Sequence, residues 1–239
     1  MKKIEKIILI FLIIIPIVLF YNYTKPEYYG TNTIGLENCY SIWLPSLKER
    51  KPLIKQLEAD IQQPITIFEA INGKKFVSNY VEFKNVDATG SIKPGAIGCL
   101  LSHVELLQSS TEDSIVVFED DCVFNSSLAE LHSFIEDAPQ FDILCMATNI
   151  TVESTPVDSS YVRVKKFYGT HALILNRKAI DAVLATHEKY SIRKKFLPAD
   201  WLYSIAIQEC GLRAFAPRDN EKYFTYKHGL MSSITEVVR

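Results

Sequence analysis

Ile115-Val116-Val117-Phe118 leads without a polar residue into Glu119-Asp120-Asp121. A short run that is apolar at every position and rich in β-branched residues reads as a strand buried on both faces, the habit of parallel sheets. Three carboxylates at the end of such a strand repel one another. They are costly to remove from water unless a cation offsets them. Open α/β sheets bind ligands just beyond the carboxyl ends of their strands. A divalent metal carrying a phosphorylated ligand suits that position. An acidic turn in contact with water is the plain alternative.

The rest of the chain alternates strands with helices. Strands are expected at 39–44, 65–70, 115–118, 141–146, 171–175 and 212–216. Residues 161–167 alternate and read as a half-exposed strand or a hairpin arm. Helices are expected from Pro45-Ser46 to about Asp60, and over 96–109, 128–136, 177–189 and 199–209, the last closed by Gly211. This order predicts an α/β sandwich around a mostly parallel central sheet. With 239 residues and 48% apolar composition, the chain can bury one sizeable core. A formal charge of −2, with no dense basic block after the N-terminus, argues against nucleic acid as a partner.

The first residues are of another kind. A net-positive segment, Met1 to Lys6, precedes an unbroken apolar run from Ile7 to Phe20, and Tyr21 and Tyr23 follow. Through Tyr23 the run reaches about 17 residues, the lower limit for a bilayer span. The lysines favour a cytoplasmic N-terminus and the tyrosines an interfacial position. A cleaved signal peptide has an apolar core of similar length. Leu19 to Thr24, however, offers no small-residue cleavage site, so an uncleaved anchor is expected. The expected organisation is a membrane helix over 1–23, a stem over 24–38 and a catalytic domain over 39–239. That makes a type II membrane protein with its domain on the lumenal, non-cytosolic side. Five cysteines cannot all pair internally, and the absence of a Cys-x-x-Cys pair removes a zinc ribbon.

Several blocks resemble those of glycosyltransferase family 25. They are Cys39–Leu44, Arg50, Ala70–Gly73, Gly95-Ala-Ile-Gly98-Cys99-Leu-Leu-Ser102-His103, and Val117–Asp121. Phe141–Leu144, Tyr168–Thr170, the helix from Arg177, Pro198–Asp200 and Ser232–Ile234 continue the series. Two positions depart from the pattern. Ser233 stands where the family has an acid, and His171 stands where a small or apolar residue is expected.

The resemblance implies a GT-A-like nucleotide-sugar-binding sandwich. It implies inverting transfer of a hexose, galactose or glucose, from a UDP-sugar to a glycan, a lipid-linked sugar or a hydroxylated protein. It also implies a Mn²⁺ or Mg²⁺ cofactor. Within it, Asp121 is the expected direct metal ligand. Glu119 binds ribose, a metal-bound water or the metal itself, and Asp120 is a third member on the nucleotide side. His228 is a candidate further metal ligand or a loop histidine. Asp200 is a candidate base for the acceptor hydroxyl, or else the N-cap of its helix. Ser102 and His103 touch the nucleotide or order the site through hydrogen bonds; a packing role is the alternative for His103. Two other functional classes remain in play. One is a sugar-binding or scaffold domain that kept the fold without turnover. The other is a metal-dependent phosphoesterase, for which the chain offers no second His/Asp ligand cluster.

Overall fold

The structure is a computed structural model that describes residues 35–85, 92–148 and 150–227. The expected membrane helix, most of the stem, His228 and Ser232–Ile234 lie outside these residues. Among the described residues no helix is long and apolar enough to cross a membrane.

Strand β1 (Cys39–Trp43) leads through a 3-10 turn (Lys48–Arg50) into helix α1 (Lys51–Ile61), then β2 (Ile65–Glu69) and a second 3-10 segment (Gly73–Tyr80). A short β3 (Lys84–Asn85) precedes helix α2 (Pro94–Ser109). Then come β4 (Ser114–Glu119), β5 (Cys122–Phe124), helix α3 (Leu128–Glu136), β6 (Ile143–Ala147), β7 (Ile150–Pro156), β8 (Tyr161–Tyr168) and β9 (Ala172–Asn176). Helix α4 (Arg177–Ile192), β10 (Lys195–Phe196), helix α5 (Ala199–Cys210), β11 (Ala214–Pro217) and β12 (Phe224–Tyr226) complete the order. Local chemistry marks several boundaries. Pro94 opens α2 where no amide is needed. The Asn176 side chain accepts the Ala179 amide at 2.9 Å to start α4. Gly211, at φ 63°, closes α5 as expected.

Eight strands form one sheet in the order β2-β1-β4-β9-β6-β11-β8-β7. The expectation of a mostly parallel sheet is corrected here. β1 runs parallel to β2 and β4, and β6 to β11, while β9 is antiparallel to both β4 and β6 and β8 to both β7 and β11. The reason lies in the connections. Parallel neighbours need a crossover of a dozen or more residues. β7 joins β8 through residues 157–160 alone, too few for a crossover, and β8, which runs against β11 and β6, continues in the same sense into β9 through residues 169–171. A fully apolar strand reports burial on two faces, not direction.

Strand β4 shows that burial directly. Ile115 and Val117 join one core layer with Ile97, Leu100 and Val104 of α2, Ile180 of α4 and Tyr203 of α5. Val116 and Phe118 join the other, with Ile54 and Leu57 of α1 and Leu131 and Phe134 of α3. Each of these strand residues is fully buried and contributes about 1.5–3 kcal/mol by leaving water. Asp142, in the Phe141–Leu144 block, is a structural group at the start of β6. It accepts the Arg213 amide at 2.8 Å and the Lys178 ammonium at 3.1 Å. That block therefore organises the amino-terminal edge of the sheet, not the cleft.

Candidate active site

Parallel strands β1, β2 and β4 end along one side of a cleft of about 640 Å³. Leu44, Arg50, Asn72, Gly98, Cys99, His103 and the Glu119–Asp121 trio are among its walls. The opposite wall depends on two glycines. A Cβ on Gly73 would meet Pro94 O at 1.9 Å and Gly98 N at 2.4 Å; one on Gly98 would meet Ile71 O at 2.5 Å. The Ile71–Gly73 loop thus rests backbone to backbone on the first turn of α2. Ser102 locks that contact, accepting the Ile71 amide at 2.8 Å and donating to Gly98 O at 2.6 Å. Two blocks far apart in the chain are joined by this one packing requirement.

The carboxylates sit where β4 ends, and each has a distinct partner. Asp120 Oδ1 lies 2.5 Å from Arg50 Nη1, and its Oδ2 accepts the Leu44 amide at 3.3 Å. Asp121 Oδ2 lies 3.3 Å from the same Arg50 nitrogen. Its Oδ1 is buried, accepts no hydrogen bond among the described residues, and lies 3.6 Å from His171 Nδ1. Glu119 Oε1 accepts the Thr170 hydroxyl at 2.6 Å, and its Oε2 lies 3.0 Å from His171 Nδ1. Backbone bonds hold the frame: Glu119 N donates to His171 O at 3.0 Å and Lys227 N to Asp121 O at 2.8 Å. The His171 ring stacks on Tyr226 at 4.9 Å and 23°.

These contacts set proton affinities. Burial favours neutral Glu119, but the adjacent His171, with the Thr170 hydroxyl, outweighs it and holds the carboxyl well below the usual range. Burial likewise disfavours a charged His171, yet the Glu119 and Asp121 carboxylates reverse this and push it up to about 10. For Asp120 burial, aided by the Asp121 charge, outweighs Arg50 and raises it to about 6. His103 is buried, lowered to about 4 and so neutral at pH 7, with Nδ1 3.0 Å from Tyr203 Oη.

A stability profile follows. A histidine raised from 6.5 to about 10 stabilises the fold fully below pH 6.5 and loses that contribution as pH climbs toward 10. Glu119, which is lowered, contributes above its ordinary 4.5 and loses the contribution as pH falls. Urea denaturation with chelator present should show His171→Gln less stable than wild type by about 2–4 kcal/mol at pH 6. The gap should close by pH 10; a constant gap would assign the loss to packing alone.

The structure gathers Glu119, Asp120, Asp121, Ser102 and His103 around one cleft. Asp200 is set beside it. Pro198 takes the N-cap position of α5, and Asp200 lies within the first turn. Its Oδ2 accepts the Gly169 amide at 3.3 Å and its Oδ1 the Trp201 amide at 2.8 Å. The N-cap reading is therefore replaced by a tie to the loop that carries Thr170 and His171. Burial outweighs these bonds and raises the Asp200 carboxyl. Sequence reasoning noticed Arg50 and His171 without pairing them to the trio, held Gly73 and Thr170 only as members of the resembling blocks, and missed Tyr226. The one available signal was the unusual histidine after Gly169-Thr170. Glu119, Asp121 and His171 each offer one ligand atom, all within 4.8 Å of one another; Cys99, His103 and Glu119 form a second such group. A buried carboxylate oxygen without a hydrogen bond, facing an imidazole nitrogen, is a donor set that fits a divalent cation.

The sequence profile of glycosyltransferase family 25 (LPS biosynthesis protein) matches residues 37–202. The chain belongs to that family. Curated proteins give no match. Among solved structures, the glycosyltransferase GlyE of Streptococcus pneumoniae TIGR4 is similar over 78% of this chain and 46% of its own, with 11% identity and a TM-score of 0.42. The apo form of mouse xyloside xylosyltransferase 1 is similar over 73% of this chain and 70% of its own, with 13% identity and a TM-score of 0.39. The chain thus spans less than half the length of the GlyE chain.

Proposed function

We propose that this protein transfers a hexose, galactose or glucose, from a UDP-sugar to a hydroxyl of a glycan, a lipid-linked sugar or a hydroxylated protein, with inversion. The observation that carries this reading is the placement of Asp121. It lies just past the carboxyl end of β4 and lines the cleft, with one buried oxygen that accepts no hydrogen bond among the described residues. Departure of a nucleoside diphosphate builds negative charge that must be stabilised. A Mn²⁺ or Mg²⁺ ion held by Glu119 and Asp121 would supply Lewis-acid stabilisation there. Arg50 keeps Asp120 and Asp121 oriented. Ser102 positions the Ile71–Gly73 wall against which the nucleotide would lie. Asp200, whose proton affinity burial raises, is suited to take the proton of the acceptor hydroxyl. The apolar run Ile7–Phe20 supports anchoring to a membrane with this domain on the non-cytosolic side.

One observation favours the rival scaffold reading: Arg50 and His171 already offset the carboxylates without any ion. UDP release decides between them. The full chain with Mn²⁺ and a panel of UDP-sugars, with and without acceptor, should release UDP in a chelator-sensitive manner. Sugar binding without UDP release under every condition would favour the scaffold.

A further inference from the structure

We infer that His171 is a direct ligand of the divalent cation, so that this chain holds the ion through a Glu119–Asp121–His171 set before any nucleotide arrives. The inference deepens the transfer reading above, and rests on it only for the use to which the ion is put.

The three atoms come from two segments that the sheet brings together. Glu119 ends β4, Asp121 follows it, and His171 precedes β9, the strand paired with β4. His171 Nδ1 lies 3.0 Å from Glu119 Oε2 and 3.6 Å from Asp121 Oδ1. Adjacent ligands of an ion with bonds of about 2.0–2.2 Å stand about 3–3.5 Å apart. The spacing therefore suits a shared ion, the three ligand atoms lying within 4.8 Å of one another; the ion takes the place of the proton on Nδ1, which is released to solvent as it binds. Arg50 engages Asp120 and the other oxygen of Asp121, which leaves Oδ1 turned to the histidine. Tyr226 stacks on the imidazole and fixes its plane, and the Glu119 N to His171 O bond fixes its backbone. Three protein ligands would leave further positions for phosphate oxygens and water. A nitrogen donor in place of a third oxygen favours ions that accept imidazole, such as Mn²⁺, Co²⁺ or Zn²⁺, over Mg²⁺ and Ca²⁺. The second group, built on His103 and Cys99, shares Glu119 and so competes for the same carboxylate.

The rival role for His171 is that of a fixed positive charge among the acids, and the two roles have opposite signs. Removing a ligand weakens metal binding; removing a competing cation strengthens it. The test is to titrate the chelator-treated full chain with Mn²⁺ alone, following free ion by EPR and ligand nitrogen by pulsed EPR. Wild type should bind one ion with a nitrogen coupling. His171→Ala should lose the coupling and bind at least about tenfold more weakly, and His171→Gln, closer in size, should do the same. Absence of Mn²⁺ binding without nucleotide, absence of nitrogen coupling in wild type, unchanged or tighter binding in the variants, or a coupling that survives in them would each overturn the inference. Should both variants fail to fold, absence of nitrogen coupling in wild type overturns the inference, and so does a coupling that is lost in His103→Ala; a coupling retained in His103→Ala supports it. A chain that releases UDP without nitrogen coupling loses this inference and keeps the transfer reading; one that binds Mn²⁺ through nitrogen without releasing UDP does the reverse.

Discussion

Asp121→Asn should fold and lose at least about 10²–10³-fold in UDP-sugar turnover. The substitution keeps the shape of the side chain and removes its charge. Stability should change modestly: the neutral side chain loses its share of the Arg50 and His171 pairings, relief of the repulsion with Asp120 offsets part of that, and Arg50 retains Asp120 at 2.5 Å. On the proposed transfer reading the loss is large because Asp121 would help hold the ion that stabilises the departing diphosphate, and one such electrostatic contact is worth about 3–4 kcal/mol. The measurement is kcat with saturating UDP-sugar, alongside a thermal melt. Turnover within tenfold of wild type would remove Asp121 from the chemistry and, with it, the central support for transfer.

The second large effect is structural. Gly98→Ala should destabilise the protein by about 2–4 kcal/mol and shift the melting temperature down by roughly 5–15 °C. Gly73→Ala should be worse. The new Cβ at position 98 would stand 2.5 Å from Ile71 O and 2.9 Å from Gly73 N, and at position 73 it would stand 1.9 Å from Pro94 O. Backbone cannot swing aside as a long side chain can, so the loop must lift off α2 and carry the cleft wall with it. Gly211→Ala is the internal contrast. It meets nothing within 4 Å and suffers only from its φ of 63°, at a cost of about 1 kcal/mol. Equal melts for Gly98→Ala and Gly211→Ala would show that the loop does not rest on α2 as described.

Much of the architecture was legible in local pattern. The apolar run before Glu119 announces a two-sided strand, and Ile115 to Phe118 do alternate between the two core layers. The 3.6-residue spacing of Ile97, Leu100 and Val104 announces α2, and Gly211 announces the end of α5. The direction of β9 was not legible, because Ala172 to Leu175 would be equally apolar in either sense. Strand β7 was missed. Its Thr, Glu and Ser residues give no apolar alternation, and its pairing with β8 is what makes it a strand.

The site divides in the same manner. Glu119, Asp120 and Asp121 are adjacent in the chain, so their mutual repulsion, their position at a strand end and their need for a cation can be read before any folding is known. Which cation answers each of them cannot. Arg50 reaches Asp120 across 70 residues, and His171 reaches Glu119 because β9 enters the sheet beside β4 in the antiparallel sense. Neighbours along a chain share an environment through covalent geometry, whereas the pairing of distant charges is chosen by the packing that brings their strands side by side.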